Sequence, residues 1–114
     1  RSADVLKVMM EDREAELEED LLPPLAEVKE RLQPLLDELE VLKGKYEDTE
    51  NEIFGSQILP LEVKCRPYQA EIEAREDDIA EIRKELEGIA QLRAAALEKH
   101  QPEGVVDVEY AGWE

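Results

Sequence analysis

Few side chains in this sequence are equipped for chemistry, apart from its carboxylates. Cys65 is the only cysteine and His100 the only histidine. They stand far apart, so no zinc set and no paired cysteine and histidine nucleophile is spelled out. Glu76, Asp77 and Asp78 are consecutive, and on a helix consecutive residues point in different directions, which makes neither a metal cage nor an acid and base pair. A glycine-rich phosphate loop or nucleophile elbow is also missing from the sequence. What stands out is a cluster near the middle: Glu47, Asp48, Glu50 and Glu52, followed by Phe54 and the stretch "IFGSQILP". The chemistry such a cluster offers is electrostatic, an acidic and apolar surface for a partner.

Composition narrows the field. Of 114 residues, 31 are acidic and 14 basic, for a net charge of -17. That charge repels phosphate backbones and anionic membranes, so direct nucleic-acid binding and membrane association are not expected. Aromatic residues make up 4%, too few to fill a compact globular core. Aliphatic residues are nevertheless abundant, and the wealth of Ala, Glu, Lys, Leu and Arg is that of long helices or a coiled coil. A run of apolar residues long enough to span a bilayer is lacking, and an intracellular, cytoplasmic setting fits the single cysteine.

Apolar spacing supplies the architecture. Leu25, Val28, Leu32, Leu35, Leu39, Leu42, Tyr46, Thr49 and Ile53 alternate steps of three and four, a heptad seam. The rhythm returns in Leu61, Cys65, Tyr68, Ile72, Arg75, Ile79, Ile82, Leu86 and Ile89. Folding the chain between the two seams pairs Ile53 with Leu61, Thr49 with Cys65, Tyr46 with Tyr68, Leu42 with Ile72, Leu39 with Arg75 and Leu35 with Ile79. The flanking pairs Arg31 with Glu85, Lys45 with Glu71 and Glu52 with Lys64 are then complementary, whereas Glu38 with Asp78 is not. In this register Cys65 fills a core layer. Arg75 interrupts one, where it snorkels toward Glu38 or Glu40, fixes the register, or meets a third chain.

The expected fold is therefore all-α: an antiparallel coiled-coil helical hairpin with proline kinks, plus a short C-terminal extended segment. The hairpin covers 1–102, with helices over about 3–22 and 24–54 as first arm, a turn at 55–60 and a return arm over about 61–100. Ser2 caps the first helix, and Leu6, Met10, Leu17 and Leu21 give it one apolar stripe. Pro23 and Pro24 predict a kink or short break, and Pro34 and Pro67 predict bends within the arms. Gly55 and Pro60 bracket the expected turn. Residues 103–114, with Pro102 and Gly104 as breakers before "VVDVEYAGW", read as an extended tail with the content of one strand, which would need a partner sheet.

The acidic cluster beside this turn resembles, in shape and charge, the acidic-tipped coiled-coil hairpins that enter the secondary channel of RNA polymerase. The resemblance implies a working tip at Glu47, Asp48, Glu50, Glu52 and Phe54. The function expected is that of a non-enzymatic interaction or assembly protein, a spacer, scaffold or adaptor, with a protein partner or self-association. The alternative is an acidic inhibitor, or nucleic-acid mimic, occupying a basic surface of a target. An enzyme would need a concave site that a two-helix hairpin hardly offers. No cofactor, metal or small-molecule substrate is expected.

Overall fold

A computed structural model describes the backbone of residues 2–105 and the side chains of residues 2–99. All described segments are helical apart from Ser2 and a two-residue turn. Helix α1 spans Ala3–Glu16 and runs through a π turn, Leu17–Leu21, into α2, Leu22–Thr49; α3 spans Glu52–Val105. The fold is an all-α helical hairpin, as the spacing predicts.

Helices α1 and α3 start where side chains satisfy their first amides, whereas α2 has no side-chain cap. Ser2 Oγ accepts from the Val5 amide at 3.3 Å, and Asp4 lies in the first turn of α1, where its charge suits the helix dipole. Ahead of Pro23 and Pro24 the chain is a π turn with no break. Neither proline carries an N–H, so the Glu19 carbonyl lacks both its α and its π donor, and Glu19 is exposed to water. The equal steps from Leu17 to Leu21 to Leu25 overrun the three-four alternation by one residue. A π turn, wider than an α turn by one residue, absorbs it, and Leu17 and Leu25 are both buried.

The helices continue through Pro34, Pro60 and Pro67, and the return arm expected from about 61 is helical from Glu52 onward. Each proline deprives the carbonyl four residues earlier of its donor. Those carbonyls belong to Glu30, Ser56 and Val63, all exposed, where water can bond them.

The expected turn at 55–60 is corrected by the structure: those residues are helical, and the chain reverses at Glu50–Asn51. Thr49 and Asn51 explain why. The Thr49 hydroxyl donates to the Lys45 carbonyl at 2.7 Å and accepts from the Asn51 amide at 3.2 Å. Asn51 Oδ1 caps α3 by accepting from the Ile53 amide at 3.0 Å. Between them Glu50 takes left-handed backbone, φ 53°, with its amide donating to the Tyr46 carbonyl at 2.6 Å. Gly55 is used for close approach instead: a Cβ there would lie 2.8 Å from Cε1 of Tyr46.

The described chain comprises two compact units. One, residues 20–79, contains the turn, α2 and the first half of α3; the other joins residues up to 19 with residues from 80 onward. In the turn unit Leu39, Leu42 and Leu61 form a buried cluster, with Leu35, Phe54 and Ile58 packed on it. Leu25, Val28, Leu32, Cys65 and Ile79 are also buried. In the second unit Leu6, Leu17 and Ile82 are buried, and Arg13 bridges to Glu85 at 3.0 Å.

Moving the turn moves the register. In the expected pairing Glu76 would take the place beside Lys43 that Glu62 holds; Lys43 bridges to Glu62 at 3.3 Å, while Glu76 bridges to Lys29 at 3.3 Å. The helices are thus paired two heptads from the expected register, with the same seam residues inward. Thr49 and Ile53 drop out of the seam and are exposed. The expected pairs are replaced as well: Arg31 bonds Glu27, Glu71 bonds Arg75 and Glu85 bonds Arg13. The unfavourable Glu38 and Asp78 pair is avoided, because Glu38 shares a groove with Lys64.

Helix α3 reaches Val105, so 103–105, expected to be extended, are helical. The reading of 106–114 as a strand lies outside the described residues.

Candidate functional site

The acidic residues singled out in the sequence come together at the turn. Glu47 and Asp48 end α2, Glu50 occupies the reversal and Glu52 opens α3; all four are exposed. They sit at the apex itself, not beside a turn farther along. Their electrostatic settings differ. Glu52 faces the positive end of the α3 dipole, which favours it, whereas Glu47 and Asp48 crowd the negative end of α2, whose last turn carries no basic residue.

Phe54 plays a different part from its acidic neighbours. It is half-buried against the Leu39, Leu42 and Leu61 cluster, and Lys45 Nζ stands 5.5 Å from its ring centroid, within range of a cation–π contact. Tyr46, missed as a tip residue in the sequence, ties the two helices at the turn: its hydroxyl donates to Glu52 Oε1 at 3.1 Å. That bond and the Glu52 charge hold the phenol above its ordinary pKa. Asn51 was also missed, although Asn followed by an acidic residue is a helix-start signal.

Arg75, the seam irregularity, is half-buried and donates from Nε to Glu71 Oε2 at 2.9 Å. Its partner is one turn back on its own helix, not Glu38 or Glu40. Cys65 is 1% exposed and fills the core, as expected of a small buried side chain. It lies beside Leu36 and Leu39, not Thr49.

Two grooves flank the seam of the turn unit. One, about 220 Å³, runs between Glu38 and Lys64 over Leu42 and Leu61. The other, about 420 Å³, is lined by Leu36, Leu39 and Cys65 with Lys43, Glu62, Arg66 and Gln69 around it. Among the described residues no group of three or more His, Cys, Asp or Glu is placed to hold a metal. No helix among them is long and apolar enough to cross a membrane. No family model, curated protein or solved structure matches the chain.

Proposed function

We propose that this protein is a non-enzymatic interaction or assembly module that engages a protein partner, or further copies of itself, through the turn end of its hairpin, as a scaffold, spacer or adaptor. The observation that carries this reading is the set of exposed aliphatic side chains that the turn unit carries beside its acidic apex. Val41, Ile53, Leu59 and Val63 are 54%, 59%, 60% and 48% exposed. Leu59 and Val63 are one helical turn apart on α3. An apolar surface rimmed by charge is the usual composition of a protein-binding patch. An intracellular setting, cytoplasmic by preference, goes with this reading.

Affinity purification with quantitative mass spectrometry, comparing the native chain with an Ile53→Ser, Leu59→Ser variant, tests it. Both residues are exposed, so helicity should be unchanged while associated proteins or copies are lost. An unchanged set of associates would contradict the proposal.

A second reading draws on Glu47 and Asp48, which lie at the negative end of α2 without a basic neighbour in that turn. An acidic inhibitor would use that field against a basic, nucleic-acid-binding surface. Its binding should compete with DNA or RNA and weaken steeply with salt; salt-insensitive association would exclude it.

A further inference from the structure

The two registers of the turn unit, one present in the structure and one legible in the sequence, use the same seam. Leu35, Leu39, Leu42 and Tyr46 face inward in both, and so do Leu61, Cys65, Tyr68, Ile72, Arg75 and Ile79. Because the registers differ by whole heptads, sliding between them leaves every one of these residues on the inner stripe. The turn has to be rebuilt one heptad farther along α3, and the pairing of the second unit, including the Arg13 and Glu85 bridge, has to shift with it. The sequence at that place is suited to it: Gly55 can end a helix and Pro60 can begin one. The present turn meanwhile holds Glu50, a non-glycine residue, at φ 53° and leaves Ile53 59% exposed.

We propose that this hairpin is a register switch, with a minor second state in which the turn migrates from Glu50–Asn51 to 55–60. In the second state Ile53 joins the seam against Leu61, Thr49 faces Cys65 and Glu50 returns to ordinary helical backbone. The described register remains dominant because the second gives up several contacts. Phe54 and Ile58 leave the core cluster. The Asn51 cap and the Tyr46 bond to Glu52 are lost. Glu38 exchanges Lys64, with which it shares a groove, for Asp78, a like charge. The consequence for the surface is that the acidic apex exists in one register only. In the other, Glu47, Asp48, Glu50 and Glu52 lie along an arm. A partner that binds the apex would therefore hold the first register, and one that binds the arm would draw out the second. The switch is a property of the chain and does not depend on which partner, if any, the apex binds.

The lone thiol gives a direct test. Thr49 is exposed but its hydroxyl bonds Lys45 and Asn51 in the present turn, so Thr49→Cys should keep the helices while weakening that turn, and it can reach Cys65 only in the second register. Under an oxidised glutathione buffer the full chain should form the 49–65 disulfide within one molecule, identified by mass and peptide mapping. It should form more slowly than the disulfide of Leu36→Cys, whose side chain lines the same groove as Cys65. Adding Glu38→Lys, also at an exposed position, puts a positive charge beside Lys64 in the described register and beside Asp78 in the second. It should raise the yield of the 49–65 disulfide about fivefold, the shift expected of one exchanged surface pair. Failure of the 49–65 disulfide to form while the Leu36→Cys control reacts would overturn the proposal. So would a yield that Glu38→Lys leaves unchanged, or one that Asp78→Lys, which meets Glu38 only in the second register, fails to raise. Asp78→Lys puts no like charge beside Glu38 or Lys64 in the described register, so trapping through general unfolding would not follow it.

Discussion

The two compact units are built on the same heptad rhythm but rest on different contacts. The turn unit joins helices linked by two residues, and it buries Leu25, Val28, Leu32, Leu39, Leu42, Leu61, Cys65 and Ile79. The second unit brings together residues far apart in the chain and buries Leu6, Leu17 and Ile82, aided by the partly exposed Arg13 and Glu85 pair. Closing a short loop costs less entropy than closing a long one, and each buried aliphatic side chain contributes about 1.5 to 3 kcal/mol. Both terms favour the turn unit. The lesson is that a uniform pattern of apolar spacing does not imply uniform stability; the second unit should open first.

The largest effect should come from the core of the turn unit. Leu39→Ala removes a side chain from the central cluster and should cost about 3 kcal/mol, read as a lower urea midpoint for the whole hairpin. Leu6→Ala, although Leu6 is as deeply buried, should instead accelerate hydrogen exchange in α1 and leave the turn unit protected. Equal loss of protection in both units would erase the distinction.

Next come two glycines of the turn unit that should respond with opposite sign. Gly44 has open space around its would-be Cβ, whereas at Gly55 that atom would press on Tyr46. In thermal unfolding Gly44→Ala should gain about 1 kcal/mol from helix propensity. Gly55→Ala should lose about 1 kcal/mol, as overpacking outweighs the same gain. Glu50→Gly should stabilise by up to about 1 kcal/mol by relieving left-handed backbone. If Glu50→Gly is destabilising in denaturant titration, the assigned turn is misplaced.

The smallest effects are electrostatic, one in each unit. The Tyr46 phenol is held above its ordinary pKa by Glu52. Its contribution to the turn unit is therefore complete below about pH 10, the unfolded value, and is lost as pH rises through the higher folded value. Tyr46→Phe should remove that alkaline decrement in pH-dependent unfolding. In the second unit the Arg13 guanidinium is favoured in its charged form by Glu16 first and Glu85 next. Arg13→Gln should weaken that unit slightly at low ionic strength and not at all at high salt, seen as salt-dependent exchange in α1.

How much of this was legible in the sequence follows from what heptads encode. They specify which face turns inward, and every second-seam residue from Leu61 to Ile89 is buried or half-buried. They do not specify register, because a shift by whole heptads presents the same face. Register was decided by the turn, and there the stronger signals misled. Gly55 and Pro60 look like a helix end and a helix start, yet Gly55 makes room for Tyr46, and Pro60 lies on an exposed helical surface where its lost hydrogen bond is tolerated. The signals that count, Thr49 bonding back to Lys45 and Asn51 capping α3, are short-range and were absorbed into an apparently continuous seam. Of the candidate site, the acidic residues were placed at the hairpin end beside a turn at 55–60, and the structure puts the turn among them. Arg75 was correctly seen as an interruption, but its partner lies on its own helix, a choice the expected register obscured.

The central claim is that the hairpin reverses at Glu50–Asn51 and that α3 begins at Glu52. Backbone NMR chemical shifts along residues 45–65 test it most directly. The structure predicts helical Cα shifts from Glu52 unbroken through 55–60, with a single interruption at Glu50–Asn51 and a positive φ at Glu50. Helical shifts that run through 50–51 and break at 55–60 would contradict it, and would show the second register to be the dominant one.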